Sequence, residues 1–145
     1  MNVIPSQAEA TIDVRALPDE DMPAFYEAMR RVIADPAVKI ETMSEGARPA
    51  APPSRLDTEM FHALERAAER VYPGAMVLPA MLTGATDMAY LRAKGIQSYG
   101  IGSAVTQNDA DNYGPHSDVE RLPESSLYSF VQFTWLAATD VAAHK

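Results

Sequence analysis

Residues 8–15 alternate in character: Ala8, Ala10, Ile12 and Val14 interleave with Glu9, Thr11, Asp13 and Arg15. A period of two is what a half-buried strand requires, because successive side chains point to opposite faces. Pro18 and the acidic run Asp19-Glu20-Asp21 come next. A fixed φ and negative charge both suit the first turn of a helix. They predict a helix with Met22, Phe25, Met29, Val32 and Ile33 on its apolar face, ended by Pro36. Val38, Ile40 and Thr42 resume the alternation, so this first segment reads β-α-β. The stretch Gly46-Ala47-Arg48-Pro49-Ala50-Ala51-Pro52-Pro53-Ser54 excludes regular structure and predicts a semi-rigid linker.

Beyond the linker, Asp57 is expected to cap a helix with Met60, Phe61, Leu64, Ala68 and Val71 on its apolar side, stopped by Pro73-Gly74. Met76 to Leu82 is a short apolar run that predicts a strand, and Pro79 restricts it to an edge or a bulge. Thr83-Gly84-Ala85-Thr86-Asp87 predicts a turn into a helix over Met88 to Lys94, which Gly95 ends. Ile96 to Ile101 predicts a further strand, and Gly102 to Pro115 a polar loop rich in Asn, Asp and Gly. Pro123 opens a last helix with Leu127, Val131, Trp135, Ala138 and Val141 along one face. Strands alternating with helices after the linker predict an α/β layer with a partly parallel sheet.

Composition narrows the function classes. The 145 residues fit one domain by length, and the chain is 47% hydrophobic and 22% charged, as soluble globular proteins are. Twelve basic against twenty acidic residues give a net charge of −8. That argues against a nucleic-acid backbone or an anionic membrane as partner. Neither a membrane-spanning apolar run nor a leader is apparent, and the cytoplasm is the default compartment, with periplasm or secretion left open. With no cysteine, a metal site must be built from His and carboxylates. The eight Met residues fall at helical spacing and read as core filler.

Three places carry candidate chemistry. His116, in Gly114-Pro115-His116-Ser117-Asp118-Val119-Glu120-Arg121, sits between a polar loop and a helix. A neutral imidazole there suits Zn²⁺; the plainer reading is a surface His near a helix start. The Thr83–Asp87 junction could hold an oxyanion or substrate carboxylate on its helix N–H groups, or Thr86 or Asp87 could simply cap the helix. Arg15 presents a fork that fits a carboxylate, or it makes an ion pair with Asp13 on a wet face. His62 and His144 read as solvated.

Taken in order, these pieces resemble the M20 family of zinc metallopeptidases and amidohydrolases. Asn2-Val3-Ile4-Pro5-Ser6, with Ala8 running to Asp13-Val14-Arg15, resembles the family's lid-domain strand N-V-I-P-x-x-A…D-x-R. Gly84-Ala85-Thr86-Asp87 resembles its G-G/A-T-D turn, and His116 with Glu120-Arg121 its final H-x-x-x-E-R segment. The family includes glutamate-releasing carboxypeptidases, acylamino-acid hydrolases, acetylornithine deacetylase and succinyl-diaminopimelate desuccinylase.

The resemblance implies an incomplete two-domain architecture of α/β class, an α+β lid piece plus part of an α/β catalytic domain. Residues 1–45 would be the C-terminal β-α-β part of the lid or dimerisation domain, 46–56 a hinge and 57–145 the C-terminal part of the catalytic domain. It implies His116 as a metal ligand, and Asn2, Arg15, Gly84 and Thr86 as substrate-binding residues. It also implies a homodimer formed through the lid, and a peptide or N-acyl amino acid as substrate. In the complete family enzyme two zinc ions activate a water that attacks the amide carbonyl, with a Glu as general base. The first His ligand, the bridging Asp, the base Glu and the remaining carboxylate ligands belong to the family's N-terminal half, and no such motif occurs here. The expectation is therefore a C-terminal portion of an amide-cleaving hydrolase, inactive without that half and with no catalytic residue of its own. A non-catalytic dimerisation or carboxylate-binding module, or a truncated gene product, are the alternatives.

Overall fold

The computed structural model describes residues 5–17, 19–43 and 48–143. Five helices run through them: α1 (Met22–Ile33), α2 (Glu59–Val71), α3 (Met88–Ala93), α4 (Gln107–Tyr113) and α5 (Glu124–Ala143). Each begins and ends for local reasons. The Asp21 carboxylate accepts the Ala24 N–H at 3.0 Å and caps α1, and Pro23 occupies the first turn, where its missing N–H costs nothing. Ala34, left-handed at φ 52°, closes the other end by returning its N–H to the Arg30 carbonyl. Thr58 caps α2 by accepting the Phe61 N–H at 3.1 Å, so the cap lies one residue beyond Asp57. Gly74 and Gly95, at φ 82° and 81°, turn the chain after α2 and α3, where a side chain would be strained.

The chain divides into two compact units. One is Met1–Arg48 with Met81–Ala85; the other is Pro49–Ala80 with Thr86–Lys145. In the first unit α1 buries none of its residues. In the second, α2 packs against α5. Ala67, Ala68 and Ala137 are buried in one cluster there with Leu64 and Phe133, and Ala63 of α2 is buried as well. Small side chains let the two helix axes approach, and the Phe133 ring fills the remaining space beside Tyr72 and Phe130, at centroid distances of 6.2 and 6.4 Å. The Arg66–Asp140 ion pair, 2.6 Å, ties the same two helices at the rim.

Several expectations are overturned. The α/β class is one: among the described residues there is no strand and no sheet. The alternation at 8–15 is real, but Ile12 and Val14 are exposed, because no neighbouring strand pairs with the segment. A strand's hydrogen bonds come from another segment, so a period of two on its own does not make a ladder. Met76, Leu78 and Leu82 are likewise exposed. At 96–101, side chains replace the ladder: Ser54 Oγ donates to the Ser98 carbonyl and accepts the Ser98 N–H, while Gln97 Oε1 accepts the Arg55 N–H.

Part of the expected loop 102–115 is instead α4. Thr106 caps it by accepting the Asp109 N–H, and side-chain bonds from Gln107 to Asp111 and from Asn112 to Asn108 brace it at i, i+4 spacing. On α5 the covered face is Phe133 and Ala137. Leu127, Val131 and Trp135, expected to face the core, are exposed. No described helix is long and apolar enough to cross a membrane.

Candidate functional site

Arg15 is held from two sides. Its Nε and Nη2 donate to Asp13 Oδ2 at 3.3 and 3.1 Å, and Nη1 donates to the Thr83 carbonyl. The structure thus brings Arg15 against the Thr83-Gly84 turn although 68 residues separate Arg15 from Thr83. The guanidinium remains about half exposed, and an added Cβ at Gly84 would meet nothing within 4 Å. Both are open to a ligand. Thr86, by contrast, spends its hydroxyl on the Met88 N–H at 3.2 Å, and Asp87 makes no side-chain cap bond. At Thr86 the helix-capping reading accounts for the geometry. Asn2 lies outside the described residues.

His116 sits on a loop with its own architecture. Its backbone is left-handed, φ 68°, in a region that non-glycine residues visit seldom and His more readily than most. Its N–H donates to Glu120 Oε2 at 3.1 Å. The Arg121 N–H donates to the Tyr113 carbonyl and closes the loop onto α4. The Arg121 guanidinium lies 3.3 Å from the centroid of the Tyr113 ring and 3.8 Å from Asp109 Oδ1. Gly114 is needed at the start of the loop, since a Cβ there would stand 2.5 Å from the Ala110 carbonyl oxygen. The His116 imidazole is exposed and has no hydrogen-bond partner among the described residues.

The donor set does not fit a zinc site within these residues. A catalytic zinc needs about three protein ligands, and no group of three His, Asp or Glu side chains among the described residues could hold a metal ion. His62 bonds Glu65 at 2.8 Å on an exposed helix face. His144 lies outside the described residues.

Sequence reasoning missed one polar cluster, which anchors the linker. Arg55 donates to both oxygens of Asp57, at 2.8 and 2.5 Å. That bond holds the Asp57 carboxyl below its ordinary range and raises the Arg55 guanidinium. Tyr99 Oη donates to the Arg55 carbonyl, so the Thr58 hydroxyl must donate to Tyr99. Arg-x-Asp beside a helix cap was the available signal.

Similarity to known proteins supplies the class. Residues 1–41 match the family model of the peptidase dimerisation domain of M20 enzymes. A protein of Dictyostelium discoideum described as "Probable carboxypeptidase S-like 2" is 34% identical over 86 residues, which cover 59% of this chain and 16% of that protein. No solved structure matches. Residues 1–41 therefore carry a segment similar to the M20 peptidase dimerisation domain. It spans about one sixth of the length of the curated relative it matches.

Proposed function

We propose that this chain is part of a zinc-dependent M20 hydrolase that cleaves the amide bond of a peptide or an N-acyl amino acid, and that it is inactive by itself. The observation that carries the hydrolase reading is the match of residues 1–41 to the peptidase dimerisation domain. The carboxypeptidase-like description of the similar slime-mould protein agrees with it. Inactivity in isolation follows from the donor set: His116 offers one nitrogen, and the described residues bring no second and third donor to it.

In this reading His116 contributes one ligand to a site whose other ligands lie on polypeptide outside this chain. Arg15, oriented by Asp13 beside the Thr83-Gly84 turn, takes the substrate's carboxylate. Residues 1–41 contribute to a homodimer contact. No chemical step is assigned to a metal within this chain.

Two preparations test the reading. The isolated chain, titrated with Zn²⁺ and assayed on N-acyl amino acids, should bind no zinc stoichiometrically and hydrolyse nothing. The chain should also be substituted for the matching segment of the slime-mould relative. That chimera should hydrolyse such substrates, and His116→Ala should abolish the activity. One tight zinc and turnover in the isolated chain would overturn the reading of inactivity. A chimera indifferent to His116→Ala would overturn the assignment of His116.

A further inference from the structure

We propose that Glu120 is a positioning residue for His116: its carboxylate holds the left-handed backbone of His116 through the amide N–H, so that the imidazole is presented from a fixed loop. This rests on the reading of His116 as the functional group of its site, and it assigns Glu120 the role of holding the backbone that presents the imidazole.

Four observations converge on this one loop. An L residue at φ 68° is disfavoured by contact of its Cβ with the backbone, less for His than for most, so bonds from its surroundings favour the conformation. The interaction that reaches the strained residue directly is the bond from the His116 N–H to Glu120 Oε2, 3.1 Å, which is strengthened by the charge of the acceptor. The loop behind it is closed at its base. The Arg121 N–H meets the Tyr113 carbonyl, and the Arg121 guanidinium stacks on the Tyr113 ring. Gly114 lets the chain leave α4 against the Ala110 carbonyl, where a side chain has no room. Inside the loop, the Ser117 N–H bonds the Gly114 carbonyl and the Glu120 N–H bonds the Ser117 carbonyl. These bonds bring the Glu120 side chain back over the His116 amide.

Glu120 Oε2 accepts the His116 N–H, so the carboxylate acts on the backbone that carries the imidazole. Asp118 lies nearer in sequence but makes no such bond.

The test is made on the full chain in metal-free buffer, so its outcome is independent of whether the hydrolase reading holds. Amide hydrogen exchange at position 116 is measured in the parent, E120A, E120Q, D118N, H116G and the double variant H116G/E120A, and NMR relaxation of the imidazole Cδ2–H in those that retain His116. In E120A the His116 amide should exchange about tenfold faster, as expected for loss of one charge-assisted bond, and the imidazole should lose order. E120Q keeps an acceptor oxygen and should stay within about threefold of the parent. D118N should change neither readout. In the H116G background the E120A effect should shrink, because glycine holds the left-handed conformation without a clamp. An unchanged His116 amide in E120A, an equal acceleration of the α5 amides, or an undiminished effect in the H116G background would each overturn the proposal.

Discussion

Phe133 and Trp135 lie two residues apart on α5, and the structure gives them opposite weights. Phe133 is 8% exposed and rests on Tyr72, Phe130 and the alanines of α2, whereas Trp135 is 68% exposed. Truncating Phe133 to alanine removes roughly 150 Å² of buried apolar surface, about 3 kcal/mol once the compactness of the unfolded chain is discounted. That sits at the low end of measured Phe→Ala costs, about 3–5 kcal/mol, as befits a ring at the margin of a small core. Trp135 buries about a third of a larger ring, so its truncation should cost about 1 kcal/mol or less.

The assay is urea denaturation of the two variants, followed by circular dichroism at the helix band. With a slope of about 1–2 kcal/mol per molar, F133A should lower the midpoint by roughly 1.5–3 M and W135A by less than about 1 M. The comparison is sharp because the apolar periodicity of α5 favours the other outcome. Leu127, Val131 and Trp135 form the longer stripe, and a reading of spacing alone makes Trp135 the core residue. Equal losses, or a larger loss in W135A, would refute the packing of α2 on the Phe133 face.

Two further outcomes follow from local geometry. The Arg55 bond lowers the folded-state value of the Asp57 carboxyl below its ordinary 3.8, so the linker anchor contributes fully above that value and is lost as the pH falls through the lowered one. A carboxyl-carbon NMR titration of Asp57 should find its midpoint below 3.8, returning toward it in R55Q; a midpoint at or above 3.8 in the parent refutes the pairing. At the His116 loop, G114A places a Cβ 2.5 Å from the Ala110 carbonyl oxygen, and relief requires a backbone shift costing on the order of 1–3 kcal/mol. The amide signals of Tyr113 to Arg121 should move while those of α2 stay in place, and an undisturbed loop spectrum would contradict the close approach.

Helices were legible in this sequence because their determinants are local. Pro123 before Glu124 lies within a turn of the helix it starts, and Gly74 and Gly95 lie just beyond those they end; Asp19-Glu20-Asp21, expected in the first turn of α1, instead precede it, with Asp21 as its cap. α4 was missed because Asn and Asp composition was weighed as loop chemistry. The stronger signal was positional: Thr106 followed three residues later by Asp109, and Asn108 four residues before Asn112. The strands fail for the opposite reason. The pattern at 8–15 fixes which residues would share a face, but the partner that turns an extended segment into a sheet is non-local, and no described segment supplies it.

The site divides along the same line. Residue type and motif order singled out Arg15 and His116 as candidates, whereas their surroundings were not legible in the sequence. The contact from Arg15 to Thr83 spans 68 positions, and no periodicity encodes it. The Asp13 carboxylate, which sequence reading offered as an alternative partner that would occupy Arg15, turns out to leave Nη1 to the Thr83 carbonyl. Ion pair and ligand-binding fork are therefore compatible: the pair fixes the plane of the guanidinium, and that orientation is what a planar carboxylate would need. Glu120, read in the sequence only as part of the H-x-x-x-E-R segment, places its Oε2 on the His116 amide. A motif such as H-x-x-x-E-R thus joins one residue that can reach outward with two that hold the loop, and only the backbone conformation at His116 separates the two roles.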